Sequence, residues 1–214
     1  MLSPLLNLQD NEQIQALRRQ LKEAGCVFEF AVLDVAPQAS IDLDLHRQAL
    51  DALYLQIEEQ RREARRRLIQ EHPRYADLGE ASPMRWELQR AVARELDAQE
   101  LQRLGTASCM SGPQALYQAF IDPPYRTRFP EDGEPPEAIF QRWLALLGLE
   151  PGAQPVVIDW VSDLQLDWQV EGTAASEVWS DYFDEGLEWW GVWCLSIWNP
   201  ERRTLGVLMA SATD

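Results

Sequence analysis

Nine carboxylates crowd the 30 residues from 159 to 188. Two carboxylates placed on either side of a glycosidic bond can hydrolyse it, and several together can hold a divalent cation. Against this, residues 181–186 lack the alternate-ligand spacing of a calcium-binding loop, and so dense an acidic run produces pairs by chance. A carboxylate-dependent hydrolase or metal-binding enzyme is therefore the alternative hypothesis. The nine residues are Asp159, Asp163, Asp167, Glu171, Glu177, Asp181, Asp184, Glu185 and Glu188.

Histidine and cysteine offer little further chemistry. His46 and His72 stand near opposite ends of a predicted helix, about 39 Å apart if that helix is straight, so they cannot share a metal ion. Cys109 lies in a loop of small residues at 106–112, where a cysteine paired with a histidine could act as a nucleophile. A free cysteine is more often a small buried hydrophobic residue, and that is the reading we favour.

The common catalytic motifs are absent from the sequence. It contains neither GxxxxGK[ST] nor GxGxxG, and neither GxSxG nor HExxH. Three cysteines without a CxxC pair indicate neither a disulfide framework nor a cysteine zinc site. We therefore predict no catalytic residue, no metal site and no cofactor, and the chain is more plausibly a binding protein than an enzyme.

Charge and tryptophan are distributed very unevenly. The net charge is −16, of which residues 1–105 carry −4 (14 basic against 18 acidic) and residues 106–214 carry −12 (5 against 17). Residues 143–201 contain eleven Asp or Glu, no Lys or Arg, and eight of the nine tryptophans. Uncompensated carboxylates cannot be buried cheaply, and tryptophan is enriched at binding hot spots. This combination is typical of a surface that grips a basic protein.

The tryptophans divide by their surroundings. Trp143, Trp160, Trp193 and Trp198 lie in amphipathic or apolar segments and are expected in the core, whereas Trp168 and Trp179 have polar neighbours and are expected on the surface. The predicted partner-binding residues are Asp167, Trp168, Glu171, Glu177, Trp179, Asp181, Asp184, Glu185 and Glu188.

The elements that position these residues are readable from capping and periodicity. Asp10 with Gln13 begins a predicted helix that ends at Gly25, and residues 26–35 form a strand with apolar side chains on both faces. A long helix covers about 44–70, with Leu50, Leu53, Ile57, Ala64 and Leu68 as its buried stripe.

The arginine cluster at 61–67 resembles a nucleic-acid patch, but acidic residues at three- and four-residue spacing favour a self-paired, solvated face. Further helices are predicted at 82–95, where Ser82-Pro83 is a start signal, and at 98–104, 113–121 and 137–147.

Strands are predicted at 155–161 and, as a C-terminal β-hairpin, at 190–198 and 204–210. The predicted fold is α+β: one mixed or antiparallel sheet of about four strands with helices packed on it. We expect a single domain over 1–214, with a proline-rich loop at 122–136 as the place where it could divide.

The lead hypothesis joins these observations. An acidic field repels nucleic acid and anionic membranes and favours a basic protein partner such as a toxin. The chain is predicted to be a cytoplasmic immunity- or antitoxin-type inhibitor that occludes a basic active site; its arginine-rich, lysine-poor composition is compatible with a bacterial source. A homo-oligomer joined through its tryptophans is a third hypothesis.

Overall fold

A computed structural model describes residues 4–104, 116–121, 129–150, 152–164, 178–188 and 190–212. The architecture is α+β, as predicted. The strands are β1 Leu6–Leu8, β2 Glu29–Val35, β3 Arg94–Glu95, β4 Val156–Asp159, β5 Val192–Asn199 and β6 Thr204–Ser211. The α-helices described are α1 Glu12–Glu23, α2 Leu43–Glu71, α3 Ala98–Leu104, α4 Leu116–Ile121, α5 Pro136–Leu147 and α6 Asp184–Leu187.

One antiparallel sheet joins the six strands in the order β1-β2-β6-β5-β4-β3. The four predicted strands are its four central strands, and the C-terminal hairpin β5–β6 lies in the middle, paired from Val192 with Ser211 to Asn199 with Thr204. The prediction of about four strands missed the two edges, β1 and β3, which are only three and two residues long. Strands this short carry too little alternation to be seen in a sequence.

Hydrophobic cores cover both faces of the sheet. Alternate residues of β2 supply them, with Phe30 and Val32 on one face and Ala31 and Leu33 on the other. The first face is covered by α1, α4 and α5. The second is covered by α2 and by the 178–188 segment.

A glycine in β6 sets how closely α5 approaches the sheet. A Cβ atom on Gly206 would overlap the carbonyl oxygen of Leu147 at the end of α5. The helix therefore packs against bare backbone at this point.

The long helix α2 was predicted correctly in its bounds but only partly in its buried stripe. Leu50, Leu53 and Ile57 are buried, whereas Ala64 and Leu68 are exposed. No residue of α2 after Glu58 is buried, because the second half of the helix has no core to pack against. A helical stripe read from sequence does not show where the covering layer stops.

Arginines on this second half of α2 pair with acidic neighbours, as predicted. Arg61 binds Glu58 at 2.7 Å, and Glu59 accepts from Arg62 at 2.9 Å and from Arg66 at 2.7 Å.

Two local predictions were wrong. Residues 82–95 do not form a helix: the chain is extended there, with one 3-10 turn at Leu88–Arg90 before β3. The cap of α1 is Asn11 rather than Asp10, since its side chain accepts from the Ile14 amide at 3.0 Å. Within the described ranges, no helix is both long and apolar enough to cross a membrane.

Candidate functional site

The acidic segment 178–188 is attached to the sheet by three apolar side chains at four-residue spacing. Trp179, Phe183 and Leu187 are all buried in the core that covers the α2 face. The Trp179 indole donates to the Trp160 carbonyl at 3.0 Å and its ring meets Phe183 edge-on at 4.9 Å. Trp179 is 2 % exposed, so the prediction of an exposed indole here was wrong. Of its polar neighbours, Ser180 is buried with it, and only Asp181, two residues away, is exposed.

The carboxylates between these three anchors face solvent. Asp181, Asp184, Glu185 and Glu188 are all exposed. Because residues 179, 183 and 187 bury one side of a segment made of a 3-10 turn followed by α6, these four carboxylates project from the other side. Asp181 and Glu185 form no ion pair with any residue that the structure describes. Their charge is therefore available at the surface.

The remaining predicted partner-binding residues, Asp167, Trp168, Glu171 and Glu177, lie outside the described residues. The core tryptophans were predicted correctly: Trp143, Trp160, Trp193 and Trp198 are all buried.

The accessible aromatic surface beside the acidic segment comes from other parts of the chain. Tyr54 of α2 and Trp86 stack with ring centroids 4.5 Å apart and an interplanar angle of 12°. Trp86 also meets Trp179 at 4.9 Å and 71°, so the half-buried stack continues directly from the buried anchor. The Trp86 indole donates to the exposed Asp51 carboxylate at 2.8 Å.

Backbone contacts hold the Trp86 segment against the acidic segment. Residues 86 and 180 form an antiparallel bridge, and the Glu87 amide donates to the Trp179 carbonyl at 2.9 Å. From the same segment as Trp86, the Arg85 guanidinium also donates to the Val178 carbonyl at 2.8 Å. Two segments distant in sequence therefore form one surface.

A buried carboxylate fixes this surface to α2. Glu58, only 3 % exposed, accepts from the Met84 amide at 3.2 Å and pairs with Arg61 at 2.7 Å. The Tyr54 hydroxyl donates to the Met84 carbonyl at 3.0 Å. Burial, followed by the charges of Glu58 and Asp181, raises the pKa of Tyr54, so its hydroxyl stays a neutral donor. We call Asp51, Tyr54, Trp86, Asp181, Asp184, Glu185 and Glu188 the acidic–aromatic surface.

Sequence reasoning missed Asp51 and Tyr54 and misplaced Trp86. Trp86 lies in the segment 82–95, for which a helix was predicted that does not form, and it is the only tryptophan of the sequence outside the acidic stretch. Asp51 and Tyr54 lie three residues apart on α2, a spacing that places two side chains on one helix face. This three-residue spacing is the local sequence signal that places Asp51 and Tyr54 side by side.

The other candidate chemical groups have structural roles. Asp159 is 1 % exposed, accepts from the Val161 amide at 3.0 Å and pairs with Arg94 at 3.4 Å; burial raises its pKa. The imidazole of His46 is buried, with Nδ1 2.7 Å from the Ser196 hydroxyl. Among the described residues, no group of three His, Cys, Asp or Glu side chains could hold a metal ion. Cys109 lies outside them.

Comparisons of this chain with known protein families, with curated proteins and with solved structures found no match.

Proposed function

We propose that this chain is an acidic protein-binding module, and specifically a cytoplasmic immunity- or antitoxin-type inhibitor that occludes a basic active site on its partner. The observation that carries the proposal is the acidic–aromatic surface. It places four exposed carboxylates from residues 181–188 beside the half-buried Tyr54–Trp86 stack.

The two parts of this surface have complementary tasks in binding. Carboxylates attract a basic partner over a distance of about one Debye length and pair with its arginines and lysines on contact. The aromatic stack offers rigid apolar area, and its faces attract a guanidinium or ammonium group. A basic active site that normally binds phosphate groups would bind these carboxylates instead, and they are not a substrate.

The rigid attachment of the surface supports the same reading. Trp179, Phe183 and Leu187 are each at most 5 % exposed, so the backbone that carries the carboxylates is fixed by core packing. A pre-organised surface loses less conformational entropy on association, and more of its interaction energy therefore appears as affinity.

The decisive experiment neutralises the carboxylates as a set. The test variant is D181N/D184N/E185Q/E188Q, and the control variant E23Q/D77N/E80Q/E201Q removes the same charge from exposed positions on other elements. Partners are captured from the native lysate at low and at high salt with the wild-type chain and both variants. We expect the wild type and the control to capture a basic protein at low salt and to lose it at high salt. The test variant should bind that protein at least about tenfold more weakly.

Inhibition is then measured on the captured partner. The partner's activity should fall when the wild-type or control chain is added. It should remain unchanged when the test variant is added at the same concentration. Equal binding and equal salt dependence for the two variants would exclude this surface as the binding site. Binding without inhibition would retain the module but exclude the inhibitor.

The aromatic half of the surface has its own test. Trp86→Ala should weaken partner binding by about thirtyfold, since a central tryptophan in an interface commonly contributes 2 kcal/mol or more. Leu78→Ala, which truncates an exposed apolar side chain beyond α2, is the control. Thermal unfolding of both variants separates lost affinity from lost stability.

A further inference from the structure

A cleft of about 570 Å³ opens between α1, the start of β2 and the exposed second half of α2. This volume lies within the range of small-molecule sites in proteins. Its apolar lining comes from Leu21, Phe28, Phe30 and Ile57, all of which are buried core residues. The cleft therefore has an apolar floor that reaches both cores of the protein.

Cations dominate the polar lining of this cleft. Arg18, Lys22, Arg61 and Arg67 line it together with the carboxylates of Glu29 and Glu63. Because Arg61 is paired with Glu58, a local excess of one positive charge remains. The protein as a whole carries −16, so the excess runs against its composition.

The two cations at the mouth are available to a ligand. Lys22 and Arg67 are exposed, and neither forms a salt bridge with any described residue. Arg61 differs, because it is already paired with Glu58 at 2.7 Å. Two unpaired cations on opposite walls, one from α1 and one from α2, form the arrangement that an anion would bridge.

Arg18 adds donors deeper in the cleft. Its Nη2 donates to the Phe30 carbonyl at 3.0 Å and to Gln56 Oε1 at 2.9 Å, and its guanidinium lies 5.3 Å from the Phe30 ring centroid. Its Nε is buried and has no acceptor among the described residues. Burial lowers the pKa of Arg18 from its ordinary value, an effect that nearby acids partly oppose. An anion would stabilise this partly desolvated charge.

Glu29 is the polar group opposite Arg18. It is half-buried, and burial raises its pKa, although Arg18, a hydrogen bond from Gln60 and Lys22 act in the opposite direction.

We propose that this cleft is a binding site for a small anionic molecule, one with a carboxylate or phosphate head group held by Lys22, Arg67 and Arg18 and an apolar body against Phe28 and Ile57. Protection of the β2 edge explains only part of the arrangement. Arg18 covers the Phe30 carbonyl at the edge that β1 leaves open, but Lys22 and Arg67 make no such contact.

The experiment titrates the full-length, ¹⁵N-labelled chain with phenyl phosphate, which joins an anionic head group to an apolar ring, and with benzoate and phenol. Amide chemical shifts give both the affinity and the location. Saturable binding of an anionic probe, with shifts concentrated in residues 18–30 and 57–67, is expected. Phenyl phosphate and benzoate compared with each other distinguish a phosphate from a carboxylate ligand. Phenol, which lacks the charge, should bind at least about tenfold more weakly.

A matched pair of variants tests the named cations. Lys22→Gln with Arg67→Gln should weaken anion binding at least about tenfold, whereas Arg19→Gln with Arg62→Gln removes the same charge from the same two helices and should change it less than about twofold. The proposal is overturned by no saturation at millimolar probe, by shifts clustered elsewhere, by equal binding of phenol, or by equal effects of the two double variants.

This inference stands apart from the proposed inhibitor function. The Lys22 and Arg67 double variant should leave partner capture and its salt dependence unchanged. Conversely, neutralising Asp181, Asp184, Glu185 and Glu188 should leave phenyl phosphate binding in place. Failure of one proposal is therefore readable while the other holds.

Discussion

Acidification should destabilise this protein through one buried histidine. The His46 ring is 3 % exposed, and its Nδ1 lies 2.7 Å from the Ser196 hydroxyl. That hydroxyl already accepts the Trp160 indole N–H at 2.8 Å, so its own proton is free to point at Nδ1. A neutral imidazole can accept that proton at Nδ1. Burial lowers the pKa of His46 to about 4, although Asp42 acts in the opposite direction.

The magnitude follows from linkage between protonation and folding. In the unfolded chain this histidine titrates near its ordinary value of 6.5, so between pH 6.5 and 4 the unfolded state binds more protons than the folded state. The free energy of unfolding then falls as the pH falls. One pKa unit corresponds to 1.36 kcal/mol, which gives a loss of about 2 kcal/mol by pH 5 and about 3 kcal/mol by pH 4.

Urea unfolding of the wild type, His46→Gln and His72→Gln at pH 7 and pH 5 measures this loss. Glutamine has no proton to gain, so the stability difference between wild type and His46→Gln should shrink by about 2 kcal/mol at pH 5. His72, the only other histidine, is exposed, and its variant is the matched control for the loss of one imidazole. Buried carboxyl groups titrate alike in all three proteins and cancel. An unchanged difference for His46→Gln would refute the reasoning.

Three further substitutions test the core and the cleft. Gly206→Ala should lower the free energy of unfolding by about 3 kcal/mol in urea titrations, because the added Cβ overlaps the Leu147 carbonyl. Glu29→Gln should stabilise the protein at pH 7, because burial raises the pKa of Glu29 and its charged form destabilises the fold. This gain in the free energy of unfolding should fade as the pH falls toward the ordinary glutamate pKa of 4.5. A gain that is constant with pH would contradict this. Trp179→Ala should cost about 3–5 kcal/mol by thermal or urea unfolding, as expected of a buried indole that donates to the Trp160 carbonyl, and a change below 1 kcal/mol would contradict its place in the core.

Local sequence signals correctly predicted those elements whose packing follows from their own apolar pattern. Residues 192–211 form a hairpin whose two apolar runs are joined by a polar turn, and both strands were expected. The two-sided apolar pattern of β2 correctly indicated a sheet with cores on both faces. The bounds of α2 followed from its periodicity. In each case the information lay within about 30 residues of continuous chain.

Tertiary contacts decided what the sequence could not. Ser82-Pro83 is a valid helix start, yet Trp86 is drawn into a stack with Tyr54 and its backbone bridges to Ser180, which requires an extended chain. Trp179 was judged by its polar neighbours, whereas the informative pattern was its four-residue spacing to Phe183 and Leu187. The acidic half of the candidate surface was therefore predictable, and its aromatic half was not.

Asp181 and Glu185 of the acidic segment form no ion pair with any described residue, and pairing of arginines within α2 contributes to this. Three arginines on the second half of α2 are paired within that helix: Arg62 and Arg66 share Glu59, and Arg61 pairs with Glu58. Such pairs form within the helix itself, because their partners are three to seven residues away, and these three arginines are therefore not available to residues 181–188. Had these arginines reached the acidic segment instead, Asp181 and Glu185 would be paired and the surface would carry little field. The pairing of these arginines within α2 therefore keeps them away from the acidic segment and preserves its attraction for a basic partner. Substituting Glu59 with Gln should release Arg62 and Arg66 and weaken the salt dependence of partner binding.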